Sequence, residues 1–339
     1  MPSSTSSSSE GVPAAKVGAS LGVALLVTLG ILVAVEQFWR SRGYQPSVVD
    51  DPALWSLHRS EVEPDGIVLL GSSRMQSGLR TDFLRQTFPG RQVTMLAVVG
   101  TGPLATLKDL ADDDMFRGMV ICEVVEWDFL PPRAEDQKSY VNHFHNVFNM
   151  NTRLNRRCAT YFQDRFVVVN PAVNLTQIAT TSIQLGRPIE PPRVRMFPDR
   201  SRIIDYSHYK HPATVQQQIQ GWKEMCDAVS VDADTWLQQT LAVEGWVKRI
   251  QDRGGNVVFV RFPSGKEFYN VTDQYFPRDR YWDRFAAQTC ASTLHFLDID
   301  ALMHFQLRCP DGVHFGAREA ELFTGVLVNR LRIDGFFEP

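Results

Sequence analysis

The residue types that turn a serine into a nucleophile occur at two places in this chain. Ser72 and Ser73 follow an apolar run in Leu69-Leu-Gly-Ser-Ser-Arg74, and Asp311 and His314 stand three residues apart in Cys309-Pro-Asp-Gly-Val-His-Phe-Gly316. A serine hydroxyl is a weak nucleophile until a histidine takes its proton. The histidine in turn needs a carboxylate to fix its tautomer and stabilise the imidazolium. A three-residue step from Asp311 to His314 across a turn containing Gly312 lets the carboxylate reach one ring nitrogen and leaves the other for the serine. The candidate catalytic residues are therefore Ser73, Asp311 and His314, and the chemistry is acyl transfer. Arg74, directly after the serine, is a candidate for binding an anionic or sugar substrate, with a structural salt bridge as the alternative.

Other constellations are weaker. His143 and His145 in Asn142-His-Phe-His-Asn146 have the spacing of two metal ligands on one strand face, but no Asp, Glu or Cys cluster completes a site. His208 and His211 read as loop histidines. Gly100-Thr-Gly102 lacks the third glycine and the following acid of a dinucleotide fingerprint, which excludes NAD binding. The five cysteines form no CxxC pair; Cys290 and Cys309 can meet in an oxidising compartment, or all five can remain thiols. Trp127, Trp222, Trp246 and Trp282 suit core packing, or one of them a sugar-binding groove. Asn174 and Asn270 begin glycosylation sequons that matter only in a eukaryotic secretory pathway. A net charge of -3 with mixed signs gives no basic stripe, which excludes a nucleic-acid binder.

The elements that must position these residues follow from the apolar pattern. Strands are expected at 66–70, 92–99, 118–125, 256–262 and 295–299, and helices at 81–88, 103–112, 214–229, 233–252, 279–291 and 317–332. Strands alternating with helices imply an α/β fold with a mostly parallel sheet covered on both faces. In such a sheet the carboxyl ends of the strands share one edge, so residues about 240 apart can converge there. Residues 130–230 fit the alternation poorly and read as an insertion or cap.

Upstream, residues 1–16 are a Ser- and Ala-rich tail expected to be disordered. Val17 to Val35 runs without a charge, long enough as a helix to span about 30 Å of hydrocarbon. It is longer than the apolar region of a signal peptide and VAVEQF is a poor cleavage site, so an uncleaved single-pass anchor is expected. A charged linker over 36–64 leads into the α/β domain at 65–335.

Gly71-Ser-Ser73 and Asp311-Gly-Val-His314 resemble the first and last blocks of the SGNH (GDSL-like) hydrolases, with Ser72 where the family has Asp. The resemblance covers about 66–129 and 254–332 and implies a three-layer α/β/α fold. It makes Ser73 the nucleophile, His314 the base and Asp311 its orienter. It also implies an oxyanion hole built from the amides of Ser73 and Gly100, with Gly102 as the alternative to Gly100. Where the family's third block supplies an Asn, Ile121-Cys-Glu-Val-Val-Glu-Trp-Asp128 has none, and Trp127 lies near that position as a second candidate substrate contact. A Gly-Ser-Ser block behind one N-terminal anchor is similar to the branch that modifies cell-envelope glycans, including the alginate acetylation and teichoic acid D-alanyl transfer proteins. That likeness implies an extracytoplasmic domain taking an acyl donor and a polysaccharide acceptor, beside a membrane-bound O-acyltransferase partner and with no cofactor. The expected activity is O-acyl transfer, most plainly of acetyl; the alternatives are an esterase of the same fold and a non-catalytic envelope scaffold.

Overall fold

The computed structural model describes residues 14–180, 186, 190–207, 212–299 and 307–336. His208 and His211 lie outside them. The chain divides into two units, Met1–Pro46 with Arg165–Pro192, and Ser47–Asp164 with Arg193–Pro339.

The first unit is built on α1 (Ala14–Ser41), whose stretch Gly18–Ser41 is the single helix among the described residues long and apolar enough to cross a membrane. The helix continues past the expected Val35, because Glu36 to Ser41 carries no helix breaker. At its end Trp39 and Tyr44 pack with Val167 and Val173, and Glu36 accepts hydrogen bonds from the Val167 and Val168 amides at 2.9 Å each.

The second unit holds a five-stranded parallel sheet of order β2-β1-β3-β6-β7, with β1 Ile67–Leu70, β2 Val93–Met95, β3 Met119–Glu123, β6 Asn256–Arg261 and β7 Ser292–His295. Alternate residues of the central strands face opposite sides. Val68, Leu70, Val120, Cys122, Val257 and Phe259 join one core, with α5 (Leu104–Ala111) and α10 (Ala233–Asp252). Ile67, Leu69, Met119, Ile121, Val258 and Val260 join the other, with α3 (Ser73–Gly78), α4 (Thr81–Thr87) and the last helix, α13 (Ala317–Ile333). Both faces are thus covered, which is why these strands are continuous apolar runs. The last strand, expected at 295–299, lies earlier as β7 at Ser292–His295, and a 3-10 turn follows at Phe296–Asp298.

Within the second unit, the described segments between 130 and 230 pack on its helices. Helix α6 (Lys138–Asn146) packs on α2 (Pro52–Arg59) and α5, and α9 (Pro212–Val229) packs on α11 (Lys266–Tyr275). A hairpin of β4 (Val194–Met196) and β5 (Arg202–Ile204) packs on α3. Between α6 and that hairpin come α7 (Met150–Arg165) and the short α8 (Leu175–Ala179). Helix α12 (Trp282–Gln288) closes the face formed with α10. All five cysteines are free, including Cys290 and Cys309.

Candidate active site

Strand β1 ends at Leu70, and the chain turns at Gly71 straight into α3. Gly71 has φ of +150°, and a Cβ there would come within 2.6 Å of Glu123 Oε2 and 2.9 Å of Met75 Cβ, so only glycine fits. The next residue, Ser72, is the N-cap of α3 and not a second candidate nucleophile. Its hydroxyl donates to Glu123 Oε2 at 3.0 Å, and its amide donates to the same oxygen at 2.8 Å. Ser73 is the first residue of the helix, where an amide has no intrahelical acceptor.

On the other side, Gly312 has φ of +84° and lies so close to the Phe268 ring that a Cβ would sit 2.0 Å from it. That turn folds His314 back over Asp311. Asp311 Oδ1 accepts the amides of Val313 at 3.0 Å and His314 at 2.8 Å, while Oδ2 pairs with His314 Nδ1 at 2.9 Å. A carboxylate only accepts, so Nδ1 carries the proton and Nε2 is free to accept. Ser73 Oγ lies 2.7 Å from Nε2. The structure therefore brings Ser73, His314 and Asp311 into one chain of hydrogen bonds.

Electrostatics favour an ionised aspartate. Burial raises the Asp311 pKa, but the hydrogen bond and charge of His314, with the two backbone amides, outweigh it and hold the carboxyl well below the usual range. Tyr206 donates its hydroxyl to Asp311 Oδ2 at 2.8 Å. Burial first, and then the Asp311 charge, push the phenol pKa well up, so it stays a donor.

The remaining sequence expectations divide. Gly100 has φ of +73° and is solvent-exposed, and its amide makes no hydrogen bond among the described residues, so it stays available. Gly102 is corrected: its amide donates to Asp136 Oδ2 at 3.1 Å, and its α-carbon packs against the Arg133 carbonyl, where a Cβ would be 2.7 Å away. Arg133 ties this loop down, donating to Gly100 O at 2.6 Å and to Asp128 Oδ1 at 3.0 Å. Arg74 takes the structural alternative: it is buried and ion-paired with Glu123, which braces the serine turn. Trp127 is buried in the core with its ring edge-on to Trp222 at 5.0 Å. His143 and His145 do not share a face, because residues two apart on a helix diverge by about 200°. His143 Nδ1 pairs with Ser56 Oγ at 2.8 Å, and His145 Nε2 with Asp109 Oδ1 at 2.6 Å.

Three contributors escaped the sequence reading. Glu123, fully buried, holds both Ser72 and Arg74. A lone acid inside the apolar run Met119-Val-Ile-Cys-Glu-Val-Val125 was a readable signal. Gln137 donates to Gly71 O at 3.2 Å and Thr101 Oγ1 at 3.0 Å, linking the serine turn to the Gly100 loop. Neither Gln137 nor Tyr206 belongs to a periodic pattern that marks it in the sequence.

Among known proteins, no family model matches this chain and no curated protein matches it. Fold and site together define an α/β protein with a serine, histidine and aspartate hydrogen-bonded in series beside a parallel sheet.

Proposed function

We propose that this chain is a membrane-anchored serine acyltransferase of SGNH type, which moves an acyl group, acetyl in the simplest case, onto a hydroxyl of an extracytoplasmic polysaccharide. The observation that carries the proposal is the 2.7 Å approach of Ser73 Oγ to a His314 ring whose other nitrogen is held 2.9 Å from Asp311. His314 Nε2 takes the Ser73 proton as Oγ attacks the acyl carbonyl. The developing oxyanion is met by the Ser73 and Gly100 amides, two backbone donors in place of the missing third-block Asn. His314 then protonates the leaving group, which departs and leaves an acyl-serine. In the second half the acceptor hydroxyl gives its proton to His314 and attacks the acyl-serine, and the proton returns to Ser73. Asp311 remains ionised throughout and stabilises the imidazolium. The Gly18–Ser41 helix keeps the reaction at a membrane surface, next to a membrane-bound O-acyltransferase as acyl source.

The test is acylation of the full chain in detergent by 4-nitrophenyl acetate, read by peptide mass. One acetyl group on the Ser73 peptide, discharged faster by an oligosaccharide than by water, is the expected result. Discharge to water alone makes the protein an esterase. No label on Ser73, with the fold intact, makes it a scaffold.

A further inference from the structure

Two arginines of the β4–β5 hairpin have opposite fates. Arg200 is fully buried and satisfied: it donates to Asp50 Oδ1 at 2.7 Å and Oδ2 at 3.1 Å, and to the carbonyls of Met95 and Ala97 at 2.9 Å each. Arg202, two residues on, is only 8% exposed, yet its Nε is sealed from solvent with no hydrogen-bond partner among the described residues. Of the buried arginines 59, 74, 156, 200, 202 and 261, each but Arg202 is paired with a carboxylate among the described residues. A guanidinium does not shed its charge inside a protein, so a buried one without a counter-ion is a standing cost unless a ligand supplies the anion.

Its position relates that ligand to the chemistry. Strand β5 packs on α3, the helix that begins at Ser73. Four residues beyond Arg202, the Tyr206 hydroxyl reaches Asp311. One short segment therefore runs from beside the serine helix to the aspartate. The neighbouring acids are committed, Asp50 to Arg200 and Asp311 to His314 and Tyr206. Burial lowers the Arg202 pKa, and Tyr206, Asp50 and Asp311 act against it. None of these acids bonds to it.

We propose that Arg202 is the anion subsite of this active site and binds a carboxylate or phosphate carried by the sugar substrate. A planar guanidinium with its fork free takes such oxyanions in bidentate fashion. The proposal rests on the acyl-transfer reading above, but binding is testable without turnover. Full-length Ser73→Ala protein in detergent is titrated calorimetrically with glucuronate, glucose 6-phosphate and glucose. One of the two anionic sugars is expected to bind at least about tenfold more tightly than glucose, and which one does so separates carboxylate from phosphate. Adding Arg202→Gln removes the difference, while Arg202→Lys keeps part of it as a point charge. Equal binding of all three sugars, no binding by any, or a preference that survives in Arg202→Gln overturns the proposal. If Arg202→Gln does not fold, Arg202→Lys decides: a preference undiminished in it overturns the proposal and a weakened one supports it. Loss of acyl-enzyme formation with sugar binding retained would instead overturn the acyl-transfer reading.

Discussion

Among the described residues of the sheet-bearing unit two histidines pair with aspartates, and the two places differ in what lies on the far side of the ring. At His314 the second nitrogen meets Ser73 Oγ, with Asp311 behind. At His145 the partner is Asp109, which also takes Arg59 at 2.6 Å, and no serine is bonded to the ring among the described residues. A third histidine, His143, does meet a serine, Ser56, but that serine is fully buried and the histidine has no carboxylate bonded to it among the described residues. All the ingredients of a nucleophilic serine are therefore present twice, once in series and once scattered over α2, α5 and α6. The difference lies in the supporting turn. Gly71, at φ of +150°, turns the chain from β1 into the helix that begins at Ser73, and Gly312, at φ of +84°, folds His314 back over Asp311.

The largest effect that can break this comparison is Ser73→Ala against Ser56→Ala. Ser73→Ala is expected to lower acyl transfer by about 10⁴-fold or more while costing less than about 1 kcal/mol of stability. Ser56→Ala should leave the rate unchanged and cost about 1 kcal/mol for its lost buried hydrogen bond. Initial rates with 4-nitrophenyl acetate and chemical denaturation measure both; a rate lost in Ser56→Ala and kept in Ser73→Ala would reverse the assignment.

Next comes Asp311→Asn against Asp109→Asn. The first should cut kcat by about 10³–10⁴-fold, because Asn stabilises neither the tautomer nor the imidazolium. The second should leave kcat within about twofold but cost about 3 kcal/mol, because Arg59 loses a buried partner. The Asp311 carboxyl also has a pH signature. Its folded pKa lies below its unfolded one, so its stabilisation is full above the ordinary carboxylate range and is lost as pH falls toward the depressed value. Wild type should therefore exceed Asp311→Asn in stability at about pH 6, and the gap should shrink by about pH 3.

Glu123→Gln should have an intermediate effect, on the order of 10²-fold in kcat, because the turn that aims Ser73 loses the charge holding Arg74. Its KM for a small neutral ester should be unchanged, which steady-state kinetics would show. The smallest effect is Tyr206→Phe, about fivefold in kcat for one lost hydrogen bond to Asp311. An effect as large as that of Asp311→Asn would give Tyr206 a direct part in the chemistry.

Much of this was written in local pattern. The apolar runs gave the strands to within a few residues, since a strand buried on both faces has no polar alternation to obscure it. The sequence also paired Ser73 with Asp311 and His314, because a Gly-containing turn of three residues has few ways to place its carboxylate. The short helix α3 was missed, since six residues are too few to show a period.

By itself the sequence determined an apolar N-terminal helix and a parallel α/β sheet from local patterns, and three residues suited to acyl chemistry from two short motifs taken together. Only the tertiary structure decided which neighbours those residues have. Arg74 became a brace when Glu123, forty-nine residues away, closed on it, and Gly102 lost its amide to Asp136. Tyr206 reached Asp311 from a region without pattern, and Arg202 was left without a counter-ion among the described residues. These outcomes depend on long-range packing and on where buried charges find partners, and neither is encoded in the periodicity of one segment.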